Sequence, residues 1–106
     1  MSASNLREVK EGLQPQGIDE MVRYSIDTLP YGAGAVAPLS LTVFDEKDWT
    51  DKTANVTTGS TTIAGSVITT AILQNLRLHV TYHCRLGWSL GSGQSRSAYF
   101  RVRGER

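Results

Sequence analysis

Residues 76 to 86 read Leu76-Arg-Leu-His-Val-Thr-Tyr-His-Cys-Arg-Leu86. Apolar side chains fall at 76, 78, 80, 82, 84 and 86, and Arg77, His79, Thr81, His83 and Arg85 fill the places between. Successive side chains on a strand point to opposite faces, so strict period-2 alternation reads as a β-strand with one face buried. A helix would scatter the same apolar groups around its circumference. The spacing therefore predicts a strand over 76–86, with the histidines and arginines facing solvent and Cys84 in the core.

Neighbouring segments carry the same signal. Leu39, Leu41 and Val43 alternate with Ser40 and Thr42, and Ala98, Phe100 and Val102 alternate with Tyr99, Arg101 and Arg103. Met21 to Asp27 and Ser66 to Ile72 are rich in β-branched and aromatic residues, which suit a pleated, half-covered surface. A short strand is expected at Asn55 to Thr58. Turn signals separate these runs at Pro30 to Gly34, Asp45 to Asp51, Thr58 to Ser60, Gln74-Asn75 and Gly87 to Gly93. Short strands at this spacing leave no room for crossover helices, so the expected fold is all-β, an antiparallel sandwich or small barrel. Tyr82 stands two residues before Cys84, the spacing of a tyrosine corner, which favours an immunoglobulin-like antiparallel β-sandwich. Cys84 is the only cysteine, so the inter-sheet disulfide of antibody domains cannot form and apolar packing must carry the fold.

Composition sets the outer bounds. The chain has 106 residues, 40% hydrophobic and 20% charged, with a net charge of +1, which is the balance of a single globular domain and not of a disordered chain. No apolar run approaches the ~18 residues of a membrane span, and the first residues lack the apolar core of a secretion signal. Residues 1–20 differ in kind: Leu6, Val9 and Leu13 share a helical stripe, cut short by Gly12 and Pro15. This predicts an N-terminal arm over 1–20, with a short helix, ahead of a sandwich over 21–106. Charge is uneven along the chain. Six arginines against Glu105 alone follow from residue 77 onward, a net +5, and residues 1–76 carry five basic and nine acidic groups, a net −4.

Chemical motifs weigh little. Gly87-Trp-Ser-Leu-Gly91 has the form of a nucleophile elbow, but no histidine or aspartate follows Ser89, and the glycines read as a hairpin loop. His79 and His83, four residues apart, lie about 13 Å apart on a strand, too far to share a metal ion. Asn55-Val-Thr57 has the form of a glycosylation sequon. No cofactor, metal or catalytic residue is expected. Arg77, Arg85, Arg101 and Arg103 with Tyr99 are the elements of a nucleic-acid surface, and the tryptophans those of a carbohydrate site, but the sequence pI of 7.9 lies below the ~9 typical of nucleic-acid-binding domains. Trp49 and Trp88 both fall in expected loops, where they cap the sandwich or anchor a partner.

Taken in order, Tyr24-Ser-Ile-Asp27, Leu41-Thr-Val-Phe-Asp45, Asn55-Val-Thr-Thr-Gly-Ser60, Ser66-Val-Ile-Thr-Thr70, Leu76 with Tyr82 and Leu86, and Tyr99-Phe-Arg-Val102 resemble a group of small immunoglobulin-like structural proteins of tailed bacteriophages and prophages. The resemblance spans most of residues 21–103. It implies a non-enzymatic virion part, foremost a capsid cement or decoration protein that stabilises the head lattice, with a neck, connector or tail accessory role as the alternative. The partners it implies are the major capsid protein or connector and tail subunits, met in repeated copies in a virion made in the host cytoplasm, with homo-oligomers among the arrangements expected. The expected partner-interface residues are Leu6, Val9 and Leu13 on the arm, the tryptophans Trp49 and Trp88, and Arg101 and Arg103.

Overall fold

The computed structural model describes residues 6–29, 34–91 and 93–106, with side chains from residue 13 onward. The turn expected from Pro30 falls outside these residues except at Gly34. Among the described residues the elements run β1 (Leu6–Gly17), β2 (Ser25–Asp27), β3 (Ala35–Asp45), β4 (Thr50–Asp51), α1 (Thr53–Val56), β5 (Thr57–Thr58), β6 (Thr62–Ala64), β7 (Val67–Thr69), β8 (Ile72–Leu73), β9 (Thr81–Leu90) and β10 (Ser95–Glu105).

The strands form a five-stranded sheet ordered β1-β10-β9-β3-β4, a three-stranded sheet ordered β2-β7-β6, and the short β5-β8 pair. All pairings are antiparallel except β1 with β10, which is parallel. The two larger sheets contribute to one core. Val43, Tyr82, Cys84, Leu86, Trp88, Leu90, Ala98, Phe100 and Val102 come from the first, Ile26 and Ile68 from the second, and Val56, Leu73 and Leu76 complete it. The expected all-β, sandwich-like architecture is what the chain adopts. Full burial of each large apolar side chain contributes about 1.5–3 kcal/mol, which is why a domain with one cysteine holds together without a cross-link.

The decisive alternation is present but displaced. Strand β9 begins at Thr81, not at residue 76, and runs on to Leu90. The five residues before it form a corner. The Arg77 amide donates to the Tyr82 hydroxyl at 3.0 Å, and the His79 amide donates to the Gly104 carbonyl at 2.9 Å. His79 has a positive φ of 65°. The tyrosine-corner hydrogen bond expected from the Tyr82–Cys84 spacing is therefore made, and it is what removes residues 76–80 from the strand.

Trp88 is corrected from a loop residue to a core residue. It continues the inner row Tyr82, Cys84, Leu86, Trp88, Leu90 and is 2% exposed. The hairpin turn lies beyond it, where the Leu90 amide donates to the Gln94 carbonyl at 2.7 Å. The short helix expected in the first twenty residues is also corrected: residues 6–17 are strand β1. Two helical turns are marginal alone in water, whereas the open edge of β10 pairs with this backbone on both sides of an irregularity between Glu8 and Leu13. Its end is pinned by Gln16, buried at 1% exposure, whose amide donates to the Leu73 carbonyl at 2.8 Å and whose carbonyl oxygen accepts from the Tyr24 hydroxyl at 2.8 Å. The strand expected at Asn55–Thr58 is a helical turn followed by β5.

Candidate functional site

The inner face of the five-stranded sheet is committed to the core, and its outer face carries most of the expected partner-interface residues. Cross-strand register orders it into rows. Phe44, His83 and Arg101 are partners across β3, β9 and β10, Thr42, Arg85 and Tyr99 form the next row, and Ser40, Gly87 and Ser97 the one after. Leu13 on β1 pairs with Arg101, and Pro15 with Arg103.

The first two rows build an aromatic cluster around His83. The His83 ring stacks on Tyr99 with centroids 4.3 Å apart, meets the edge of Trp49 at 5.1 Å, and lies 6.3 Å from Phe44. These rings roof it, so His83 is 5% exposed although it sits on the outer face. The expectation of a solvent-facing histidine is corrected for that reason. His79 stands in the corner before the strand and is exposed. No group of three potential metal-ligating side chains occurs among the described residues.

Charge wraps the rings. Arg101 makes a two-pronged pair with Glu46, its Nε and Nη2 at 2.8 and 2.9 Å from the carboxylate oxygens, the strong planar geometry of guanidinium and carboxylate. His83 Nδ1 is 3.8 Å from the same carboxylate. The Arg85 guanidinium carbon lies 5.5 Å from the Phe44 ring centre, a cation–π contact. Arg103 lies 3.8 Å from Glu105 and 3.4 Å from His79 Nδ1. Arg101 and Glu46, 55 residues apart in sequence, thus meet where the β3–β4 turn borders this sheet.

Trp49 crowns the cluster from the β3–β4 turn and is 54% exposed. Its φ is +58°, a left-handed conformation that costs a residue with a side chain roughly 1–2 kcal/mol. Local hydrogen bonds hold it there. The Trp49 amide donates to the Asp45 carbonyl at 2.7 Å, the Lys47 amide to Asp45 Oδ1 at 2.9 Å, and the Thr50 amide and hydroxyl both donate to Asp48 Oδ1. The bonds from Thr50 hold the Asp48 carboxyl below its ordinary range, and those from Thr53 do the same for Asp51. Glycine or asparagine would adopt this backbone at lower cost, so the turn holds a large exposed aromatic where local geometry favours a small residue.

Beside the cluster lies a groove of about 340 Å³. Its floor is the Ser40–Gly87–Ser97 row, where a side chain on Gly87 would put its Cβ 2.6 Å from Ser40 Oγ. Arg85 and Arg96 line it, and no carboxylate does.

The structure therefore brings Leu13, Trp49, Arg101 and Arg103 onto one face and removes Trp88 from it. The side chains of Leu6 and Val9 lie outside the described residues. Phe44, Glu46 and His83 were missed as site residues, and Arg85 and Tyr99 stood only among the elements of a nucleic-acid surface. The alternation marked His83, Arg85 and Tyr99 as outward positions, but only the strand register, which pairs segments forty residues apart, makes them a cluster with Phe44 and Glu46. Cys84 is fully buried, and burial pushes its thiol pKa well up. Ser89 lies within strand β9, not at the strand-to-helix turn that a nucleophile elbow requires. Comparison with known proteins yields no match to a protein family, a curated protein or a solved structure.

Proposed function

We propose that this chain is a non-enzymatic structural protein of a phage virion, a cement or decoration protein that stabilises the head lattice and whose docking surface is the outer face of its five-stranded sheet. The observation that carries the docking part is Trp49, a half-exposed indole held in a left-handed turn above a ring of aromatic and paired charged side chains. Tryptophan, tyrosine and arginine are the side chains that concentrate binding energy at interfaces, and a rim of satisfied polar groups around them excludes water. Arg101 is preorganised by Glu46, so little side-chain entropy remains to be lost on binding.

The virion assignment rests on the resemblance of Tyr24–Asp27, Leu41–Asp45, Ser66–Thr70 and Tyr99–Val102 to the phage proteins. The strand order supports the immunoglobulin-like part of it. Adjacency of β10, β9, β3 and β4 opposite β2, β7 and β6 has the pattern of the two sheets of a variable-type immunoglobulin sandwich, with β9 carrying the tyrosine corner. On a repeating shell each copy needs only modest affinity, because neighbouring sites raise the effective concentration. Quantitative mass spectrometry of purified phage particles tests the assignment. A cement protein is present in a fixed ratio to the major capsid protein, a connector or tail part in a few copies per particle, and absence from the particles refutes the assignment.

A further inference from the structure

The outer face carries both a projection and a recess. Trp49 packs on His83, and the floor of the groove is Gly87, four residues further along β9, which is about 13 Å at strand rise. The two features have opposite charge surroundings. The turn that presents Trp49 carries Asp45, Glu46, Asp48 and Asp51 against Lys47 and Lys52, a net −2, whereas the groove is lined by Arg85 and by no carboxylate. Its volume of about 340 Å³ falls at the lower end of the ~300–1,000 Å³ of small-ligand pockets, enough for an indole. A projection and a complementary recess on one flat face satisfy each other when two copies meet across a two-fold axis, since each then donates its projection to the other's recess.

We infer that this face takes a second copy of the chain, face to face, with Trp49 of each copy seated in the groove over Gly87 of the other and its flanking aspartates against Arg85. The inference rests on the reading of this face as a docking surface and names its occupant; it does not depend on the virion assignment. The twofold axis falls near Arg85, and its contact with Phe44 keeps each guanidinium over its own ring while the partner's acidic turn approaches.

Sedimentation and tryptophan emission of the purified full chain test it. Trp88 is in the core, so emission from an exposed indole belongs to Trp49. The wild type passes from monomer to dimer with concentration, with a blue shift of that emission, and added salt weakens the dimer because exposed charges are screened. Trp49→Ala raises the dissociation constant at least ~10-fold, as loss of an interface anchor does. Ser95→Arg, which fills the groove from an exposed position, does the same, and both variants keep the wild-type melting temperature at concentrations where the wild type is monomeric. Asp48→Asn, which keeps the turn's hydrogen-bond acceptor, weakens the dimer and flattens its salt dependence. A wild type that stays monomeric at its highest soluble concentration overturns the inference, as does a dimer that survives Trp49→Ala and Ser95→Arg combined. Neither result bears on whether particles contain the chain, which the particle composition decides separately.

Discussion

Gly104 sits where the corner before β9 crosses the last strand, and it has no room for a side chain. A Cβ there would lie 2.1 Å from the Arg77 carbonyl oxygen and 2.9 Å from its carbon, both backbone atoms that cannot swing aside. Gly104→Ala is expected to destabilise the domain by about 1–3 kcal/mol or more, the range for overpacking, read as a lower urea midpoint with unchanged slope. Tyr82→Phe removes the acceptor for the Arg77 amide and is expected to cost about 1–2 kcal/mol. At this scale the sequence was partly legible. The Tyr82–Cys84 spacing announced the corner because both ends of that hydrogen bond are local. Gly104 was not legible, since its partner is twenty-seven residues away. Trp88 could have been found: it extends the period-2 row through Leu86 and Leu90, but Gly87 and Gly91 on either side read as a loop. Gly87 is instead the outward residue that opens the groove.

Strand β1 shows how a weak local preference loses to a long-range one. Leu6, Val9 and Leu13 fit a helical stripe, but the hydrogen bonds offered by β10 and the buried bridge through Gln16 select an extended edge. Pro15 is tolerated because an edge strand pairs on one side only. Gln16→Ala leaves the Tyr24 hydroxyl without its acceptor and the Leu73 carbonyl with the Val22 amide alone, and is expected to cost about 1–3 kcal/mol, measured by urea denaturation. The β3–β4 turn makes a pH prediction. Asp48 and Asp51 have folded-state pKa values lowered by hydrogen bonds from Thr50 and Thr53. Their contribution is therefore present above the ordinary carboxylate pKa of about 4 and is lost as pH falls through the lower folded values. Acid should disorder the turn and release Trp49 from His83 before the core melts, visible as loss of indole ring-current shifts in NMR spectra at temperatures where Trp88 signals persist.

For the whole molecule, the alternating pattern specified two-faced strands and hence a sandwich-like fold, because one buried face per strand is a local property. The site was not written locally. The −4 and +5 halves of the sequence meet at an ion pair, where Glu46 on the β3–β4 turn holds Arg101 on β10. High pH tests the common core. Burial pushes Tyr24 up to about 12, and burial likewise raises Cys84 from 9.0. Both groups are held neutral in the folded state, so stability is full below their unfolded pKa values and falls as pH rises from about 9 to 12, with Cys84 alkylated only upon unfolding. Thiol labelling that tracks the denaturation curve is the expected result. The proposed virion role is tested most directly by the copy number of Trp49→Ala in phage particles assembled with that variant as their only source of this chain. The wild type is expected at a fixed ratio to the capsid protein, and the variant, equally stable in solution, at a ratio reduced about 10-fold or more, the effect of losing a central interface tryptophan. Particles carrying the variant at the wild-type ratio would contradict the account.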